Sequence, residues 1–348
     1  MYLSNFWYIA GWSQEITAKP LRRLIMGQPI VMFRCKDGTI AALEDRCSHR
    51  NYPLSKGEIR DNVIQCGYHG LRFDRHGTCV YAPGQDRPPS GGNLISYPVE
   101  ERGSIVWMWM GEPQRADGAL VPDLSYLDRE GWTPFLGGYI HLKAEHTMLT
   151  ENLLDISHLA YVHKSTMGST PALMAGCDIE VTLEPFGVRR LTTMNNIPTP
   201  PVYRQSSLVG EQIDTRTEST MRPGLYENNV VVKPVGIEAW RTKGVDSEYP
   251  IITRSFHGIV PETDRSTHYF FGGTFKKIDV PGMSGDQAHR ILLEDVDVLE
   301  SIQDNIQYVG DRRTINLRND AAVMQWRAFV KRLQKADADS RTAVESVG

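Results

Sequence analysis

Cys47-Ser48-His49 is followed, after sixteen intervening residues, by Cys66-Gly67-Tyr68-His69. Each half supplies one thiolate and one imidazole on a short turn beside a strand-like run, so the two segments are expected to meet as paired loops on a small β structure. Thiolates suit soft iron–sulfur iron and imidazoles suit borderline metals. Replacing two thiolates by neutral imidazoles raises the reduction potential over an all-cysteine cluster. A two-iron, two-sulfur cluster gripped by one cysteine and one histidine from each loop fits this order. Tetrahedral zinc is the alternative. Zinc fingers place both cysteines before both histidines, whereas here the types alternate.

The other cysteines are Cys35, Cys79 and Cys177. Cys35 and Cys79 lie in or beside strand-like sequence and read as small buried hydrophobes. An odd count of five argues for free thiols and metal ligands in a reducing compartment, not a disulfide frame. The N-terminus has no basic leader, and the longest strongly apolar run, Ile105–Met110, is too short to span a bilayer. A cytoplasmic protein is expected. The net charge of −4 gives no global pull toward nucleic acid or anionic membrane.

A length of 348 residues suggests two domains, with the boundary near residue 115, where Gly111-Glu112-Pro113 ends a run of short strands. Residues 1–115 read as β, with strands at Pro29–Arg34, Gly38–Glu44, Val63–Cys66 and Ser104–Met110 and a surface loop at Tyr81–Asn93. Residues 116–348 mix types. Strand-like runs occupy Gly138–Ala144, Val188–Met194, Asn229–Val235, Ile251–Ile259 and His268–Phe275. Met148–His163, Asp286–Val309 and Asp320–Ala336 read as helices, and the tail after Lys335 as frayed. Lys164–Gly176 and Thr242–Pro250 read as loops. The fold class is α+β.

A cluster of this kind only carries electrons, and the chain is much longer than that task needs. Within Met148–His163, the sequence D-x-x-H-x-x-x-x-H places Asp155, His158 and His163 together. His158 and His163 are five residues apart, roughly 140° around an ideal helix, so joint ligation needs a break or a π-bulge. Two histidines and one carboxylate on one face of an iron leave positions open for oxygen chemistry. Glu294, Asp295, Asp297 and Glu300 on the long helix are the candidate carboxylates. Asp295 follows Leu292 by three and precedes Leu299 by four, which places it near the apolar stripe. Asp155, three residues before His158, could orient its imidazole. A histidine pair held for structural reasons and a solvated acidic helix face are the bland alternatives.

The chain resembles the Rieske non-haem iron oxygenases along essentially its whole length. The resemblance rests on Asn5-Phe6-Trp7-Tyr8-Ile9-Ala10, the two Cys/His loops, Asn152–His163, Pro261-Glu262-Thr263 and His268-Tyr269-Phe270-Phe271-Gly272. Within the family it is most similar to the short-chain group of vanillate O-demethylase, dicamba O-demethylase and toluenesulfonate methyl-monooxygenase. The resemblance implies a Rieske 2Fe–2S cluster on Cys47, His49, Cys66 and His69. It also implies a mononuclear Fe(II) on His158, His163 and Asp295, since the family places its aspartate in a Glu-Asp pair with a glutamate five residues on, as in Glu294-Asp295 and Glu300. It implies a catalytic domain with an antiparallel sheet around a long C-terminal helix, of helix-grip type.

The implied activity is that of a terminal oxygenase component hydroxylating a small aromatic substrate, with O- or N-demethylation. A separate reductase or ferredoxin would supply NAD(P)H electrons, and no GxGxxG lies between a strand and a helix to bind the dinucleotide directly. A homotrimer is implied, in which Asp155 links the iron site to a Rieske histidine of a neighbouring subunit. Asn152 is expected beside the iron and His257 at the substrate. Trp240, Phe256 and Phe270 are aromatic candidates for an apolar pocket, with core packing as the alternative. The segment Arg204–Val245 departs from the family pattern. A ring dioxygenase with the same metals and a Rieske electron carrier without oxygenase activity are the rival readings.

Overall fold

Strand-forming sequence dominates both halves of the chain, and only two segments combine helical periodicity with length. The computed structural model describes residues 2–204, 209–236, 251–276, 285–310 and 314–345. The chain divides into two compact units, Met1–Ser125 with Val260–Thr263, and Tyr126–Ile259 with Asp264–Gly348.

The first unit is built from β1 (Phe6–Trp12), β2 (Leu21–Ile25), β3 (Gln28–Arg34), β4 (Ile40–Glu44), β5 (Glu58–Arg60), β6 (Val63–Gln65), β7 (Arg72–Phe73), β8 (Cys79–Tyr81), β9 (Val99–Arg102) and β10 (Ile105–Met110). They form sheets of order β1-β10-β9, β2-β3-β4 and β5-β6-β7-β8. All six residues of β10 are buried, so this run is covered on both faces. Cys35 and Cys79 are buried in a core cluster with Phe33, Leu43, Ile64 and Phe73, as small hydrophobes. The same cluster holds Cys47 and Cys66, so the loops that carry them are anchored in the core.

The second unit contains one seven-stranded sheet of order β11-β17-β16-β15-β14-β13-β12. Its strands are β11 (Trp132–Leu142), β12 (Asp178–Glu184), β13 (Gly187–Pro198), β14 (Gln212–Arg222), β15 (Leu225–Pro234), β16 (Ile251–Thr263) and β17 (Ser266–Lys276). The helices are α1 (His146–Leu154), α2 (Pro171–Ala175), α3 (Gly285–Val309) and α4 (Ala321–Glu345). This is the expected α+β arrangement. Along α3, Ala288, Leu292, Asp295, Leu299 and Gln303 are buried at spacings of three and four. Two polar residues thus occupy the apolar stripe, and both have tasks. Gln303 Oε1 accepts from the Glu145 amide at 2.9 Å. Asp295 faces the histidines of the candidate centre. From the next turn, Glu300 Oε1 accepts from the Lys143 amide at 2.9 Å, so α3 fixes the entry to α1. A bidentate pair of Arg327 with Glu151, 2.6 Å at each oxygen, ties α1 to α4.

Three local expectations are corrected. Met148–His163 is not one helix: α1 stops at Leu154, and Asp155 is extended at φ −88°, ψ 122°. The cause is local, because the Asp155 carboxylate accepts from the Ser157 amide at 2.7 Å and its hydroxyl at 3.0 Å, starting a separate 3₁₀ turn over Ser157–Ala160. The sequence after Lys335 continues as helix to Glu345. Lys164–Gly176 is not wholly loop, since α2 forms behind a Thr170 cap whose hydroxyl accepts from the Leu173 amide. Thr242–Pro250 and Trp240 lie outside the described residues. Phe256 and Phe270 are fully buried, the core alternative.

Candidate metal centres and active site

The two Cys/His loops share one backbone plan. The Cys47 amide donates to the Tyr52 carbonyl and the Cys47 carbonyl accepts from the Asn51 amide, at 2.8 and 2.9 Å. The Cys66 amide donates to the Leu71 carbonyl and the Cys66 carbonyl accepts from the Gly70 amide, at 2.8 and 3.1 Å. In each loop the residue four after the cysteine is left-handed, Asn51 at φ 55° and Gly70 at φ 77°. Both cysteines are buried and both histidines are exposed. The His49 and His69 rings lie edge to face with centroids 4.7 Å apart.

All described cysteines are free thiols. Burial pushes the Cys47 thiol up to about 11, the adjacent Cys66 thiol adds to this, and the backbone amides of His49 and Arg50 pull the other way. Two neighbouring buried sulfurs, amide donors at one of them, and an outer pair of imidazoles form a donor set that fits a two-iron cluster with mixed ligation.

In the second unit the break at Asp155 brings His158 and His163 together, with ring centroids 5.3 Å apart. Their Nε2 atoms lie 3.5 and 3.1 Å from Asp295 Oδ1, and the three residues form a group whose ligating atoms all lie within 4.8 Å of one another. Asn152 Nδ2 donates to the same oxygen at 3.1 Å. His163 Nδ1 lies 2.7 Å from Glu294 Oε2, and Thr166 Oγ1 donates to that oxygen at 2.8 Å. Burial lowers the His158 pKa. At His163 burial acts in the same sense, but hydrogen bonds to Asp295 and Glu294 outweigh it and the pKa is raised. Two imidazoles and one carboxylate converging in this way fit an octahedral iron with open positions. His158 Nδ1 is buried without a partner among the described residues, and Asp155 Oδ2 stands 3.9 Å away, beyond hydrogen-bond reach. Of the other candidate acids, Glu294 and Glu300 are engaged as described and Asp297 is exposed.

A cavity of about 740 Å³ opens beside this group. His257 lines it, as do Asn152, Asp155, His158, His163 and Asp295. His257 Nδ1 lies 2.5 Å from the Tyr269 hydroxyl. Burial lowers the His257 pKa to about 4 and raises that of Tyr269 well above its ordinary value, so both are neutral near pH 7. The Tyr269 proton has no other acceptor among the described residues, so the hydroxyl donates to Nδ1 and leaves an N–H at Nε2. Sequence reasoning missed Arg190, Tyr226 and Asn228, which line the same cavity. Their signal was strand alternation: residues 190, 192 and 194 of β13, 215 and 217 of β14, and 226, 228 and 230 of β15 are all cavity-lining.

Residues 6–98 match the Rieske 2Fe–2S domain, and residues 142–336 match the vanillate O-demethylase oxygenase C-terminal domain. The chain is 33% identical to the oxygenase component of dicamba O-demethylase from Stenotrophomonas maltophilia, over 97% of this chain and 99% of that one. It is 32% identical to the vanillate O-demethylase oxygenase subunit of a Pseudomonas species, over 99% and 98%. The crystal structure of dicamba monooxygenase bound to dicamba superposes with a TM-score of 0.83 at 30% identity, covering 97% of this chain and 99% of that one. A matched Rieske domain and a matched catalytic domain on one chain, with relatives spanning nearly its full length, make it a member of the Rieske non-haem iron oxygenase family, in the vanillate and dicamba O-demethylase group.

Proposed function

We propose that this chain is the terminal oxygenase component of a multicomponent system that hydroxylates a methyl carbon on the oxygen or nitrogen of a small substituted aromatic compound. The carrying observation is the His158–His163–Asp295 group beside a largely apolar cavity. In this reading Cys47 and Cys66 hold one iron of the cluster and His49 and His69 the other, while His158, His163 and Asp295 hold the mononuclear iron. When bound, these metals supply the electron transfer and oxygen activation. Residues 1–115 serve the cluster and residues 116–348 the catalysis.

The chain's own residues do the positioning. Asn152 steadies the Asp295 carboxylate, and Glu294 fixes the ring of His163. His257 offers its Nε2 proton to an acceptor on the substrate, which aims the methyl group. A hydroxymethyl group formed on oxygen or nitrogen collapses to formaldehyde and a phenol or amine. Electrons come from NAD(P)H through a separate reductase or ferredoxin. Five free cysteines support a cytoplasmic placement. The assembly is read as a homotrimer after the pattern that the resemblance implies, with Asp155 facing the cluster of a neighbouring subunit.

The test is formaldehyde release by the iron-replete protein with a surrogate reductase, NADH and oxygen, over methoxybenzoates, methylated phenols and N-alkyl anilides. Formaldehyde in step with NADH, lost in His158→Ala, is expected. A cis-diol or ring-hydroxylated product without formaldehyde sinks the demethylase reading.

A further inference from the structure

Arg190 is buried, and no carboxylate of the described residues pairs with it. Its Nη1 donates to the Leu154 carbonyl at 2.5 Å, and its Nη2 donates to Ser219 Oγ at 3.2 Å and to the Tyr226 hydroxyl at 2.9 Å. The contact with Ser219 follows from register: Arg190 pairs with Ser219 across β13 and β14, and Ser219 pairs with Asn228 across β14 and β15. The three side chains therefore form one row across the sheet.

A guanidinium can only donate, and that fixes every direction downstream of it. Ser219 Oγ must accept from Arg190. Ser219 is 1% exposed, so its own proton needs an acceptor, and Asn228 Oδ1 at 2.6 Å provides it. With that oxygen turned to Ser219, the NH₂ group is the end of the Asn228 amide left to face the cavity. Tyr226 likewise accepts from Arg190, and its proton has no acceptor among the described residues. Asn228 and Tyr226 both line the cavity, beside His257.

We infer that Arg190 and Ser219 are positioning residues that set the polarity of the substrate site. They turn Asn228 and Tyr226 so that Asn228 offers its NH₂ group and Tyr226 its hydroxyl proton to the cavity. The group recognised there is an acceptor without protons to give, such as a carboxylate, sulfonate or ketone oxygen. An amine-bearing ring of the same size is rejected. The inference rests on the oxygenase reading, because it concerns the cavity beside the proposed iron.

The test is isothermal titration calorimetry of the iron-replete protein with meta-methoxybenzoate, meta-methoxyacetophenone and meta-methoxyaniline. The two acceptor probes are expected to bind at least about tenfold more tightly than the aniline. Ser219→Ala frees the Asn228 amide to turn, and the ratio should fall to within about threefold. Ser219→Thr keeps the hydroxyl and should keep the preference. Arg190→Lys, which retains the charge but not the forked donors, should lose it in part, and Ser219→Ala carries the test if that variant fails to fold. A role limited to folding would lower occupancy or stability without changing the ratio. Acceptor probes that bind no better than the aniline, absence of binding included, overturn the inference, as does an unchanged ratio in Ser219→Ala. Selective binding without formaldehyde leaves this inference standing and counts against the demethylase reading. Formaldehyde release without selectivity does the reverse.

Discussion

His163 Nδ1 and Glu294 Oε2 are 2.7 Å apart, and Glu294 immediately precedes Asp295 on α3. One helical turn thus supplies a candidate ligand and the carboxylate that orients another. Such outer carboxylates fix the imidazole tautomer and raise its basicity as a ligand. Glu294→Gln should weaken iron binding by about 10- to 100-fold, measured by competition with a chelator. Far-ultraviolet circular dichroism and the cluster's visible spectrum should not change. Unaltered iron affinity would show that Glu294 serves packing alone.

At the cluster, His69→Cys exchanges a neutral ligand for an anionic one. The reduction potential should drop by on the order of hundreds of millivolts, toward the range of all-cysteine clusters. A redox titration followed by electron paramagnetic resonance checks this. A potential that stays put means the exposed histidine is not a ligand.

Gly57 lies where the Rieske loops pack. A Cβ placed there meets the Gln65 carbonyl oxygen at 2.1 Å, a backbone atom that cannot step aside. Gly57→Ala should destabilise the first unit by roughly 2 kcal/mol or more. Cluster loss on heating should come at lower temperature, while iron bound by the second unit is retained.

His257 gives a pH dependence with a definite sign. Its folded pKa, lowered by burial to about 4, lies below the ordinary value of 6.5. Between these two values the unfolded chain takes up a proton that the folded chain refuses. Stability is therefore unaffected above the ordinary value and falls as pH drops toward 4, by at most about 1.4 kcal/mol per pH unit from this group. Denaturant unfolding at pH 7 and pH 5 should show the loss, and His257→Gln should reduce it. If the variant loses as much stability as the parent, His257 is not the group responsible.

The Rieske domain was legible in the sequence because both halves of its Cys/His motif are local and chemically specific. His158 and His163 were visible too, but their partnership depends on a break that helical periodicity conceals. The signal for it was present: an aspartate two residues before a serine is a turn-starting arrangement, and Asp155 with Ser157 uses it. Asp155 accepts from the amide and hydroxyl of Ser157, and its Oδ2 stands 3.9 Å from His158 Nδ1. Arg190, Ser219 and Asn228 could not be joined in this way. Alternation tells which residues share a face of a sheet, but register between strands decides which of them touch. The extension of α4 to Glu345 was hidden by small polar residues that suit a helix surface and a frayed end equally well.

The opposite exposure of the two kinds of candidate cluster ligand, buried cysteines and exposed histidines, has a consequence for electron transfer. A cofactor insulated on its sulfur side and bare on its imidazole side has a single terminal, and it must be charged and discharged through that terminal. If a neighbouring subunit is seated at that edge, as the proposed trimer has it, the reductase is left only the part of the edge that this neighbour keeps open.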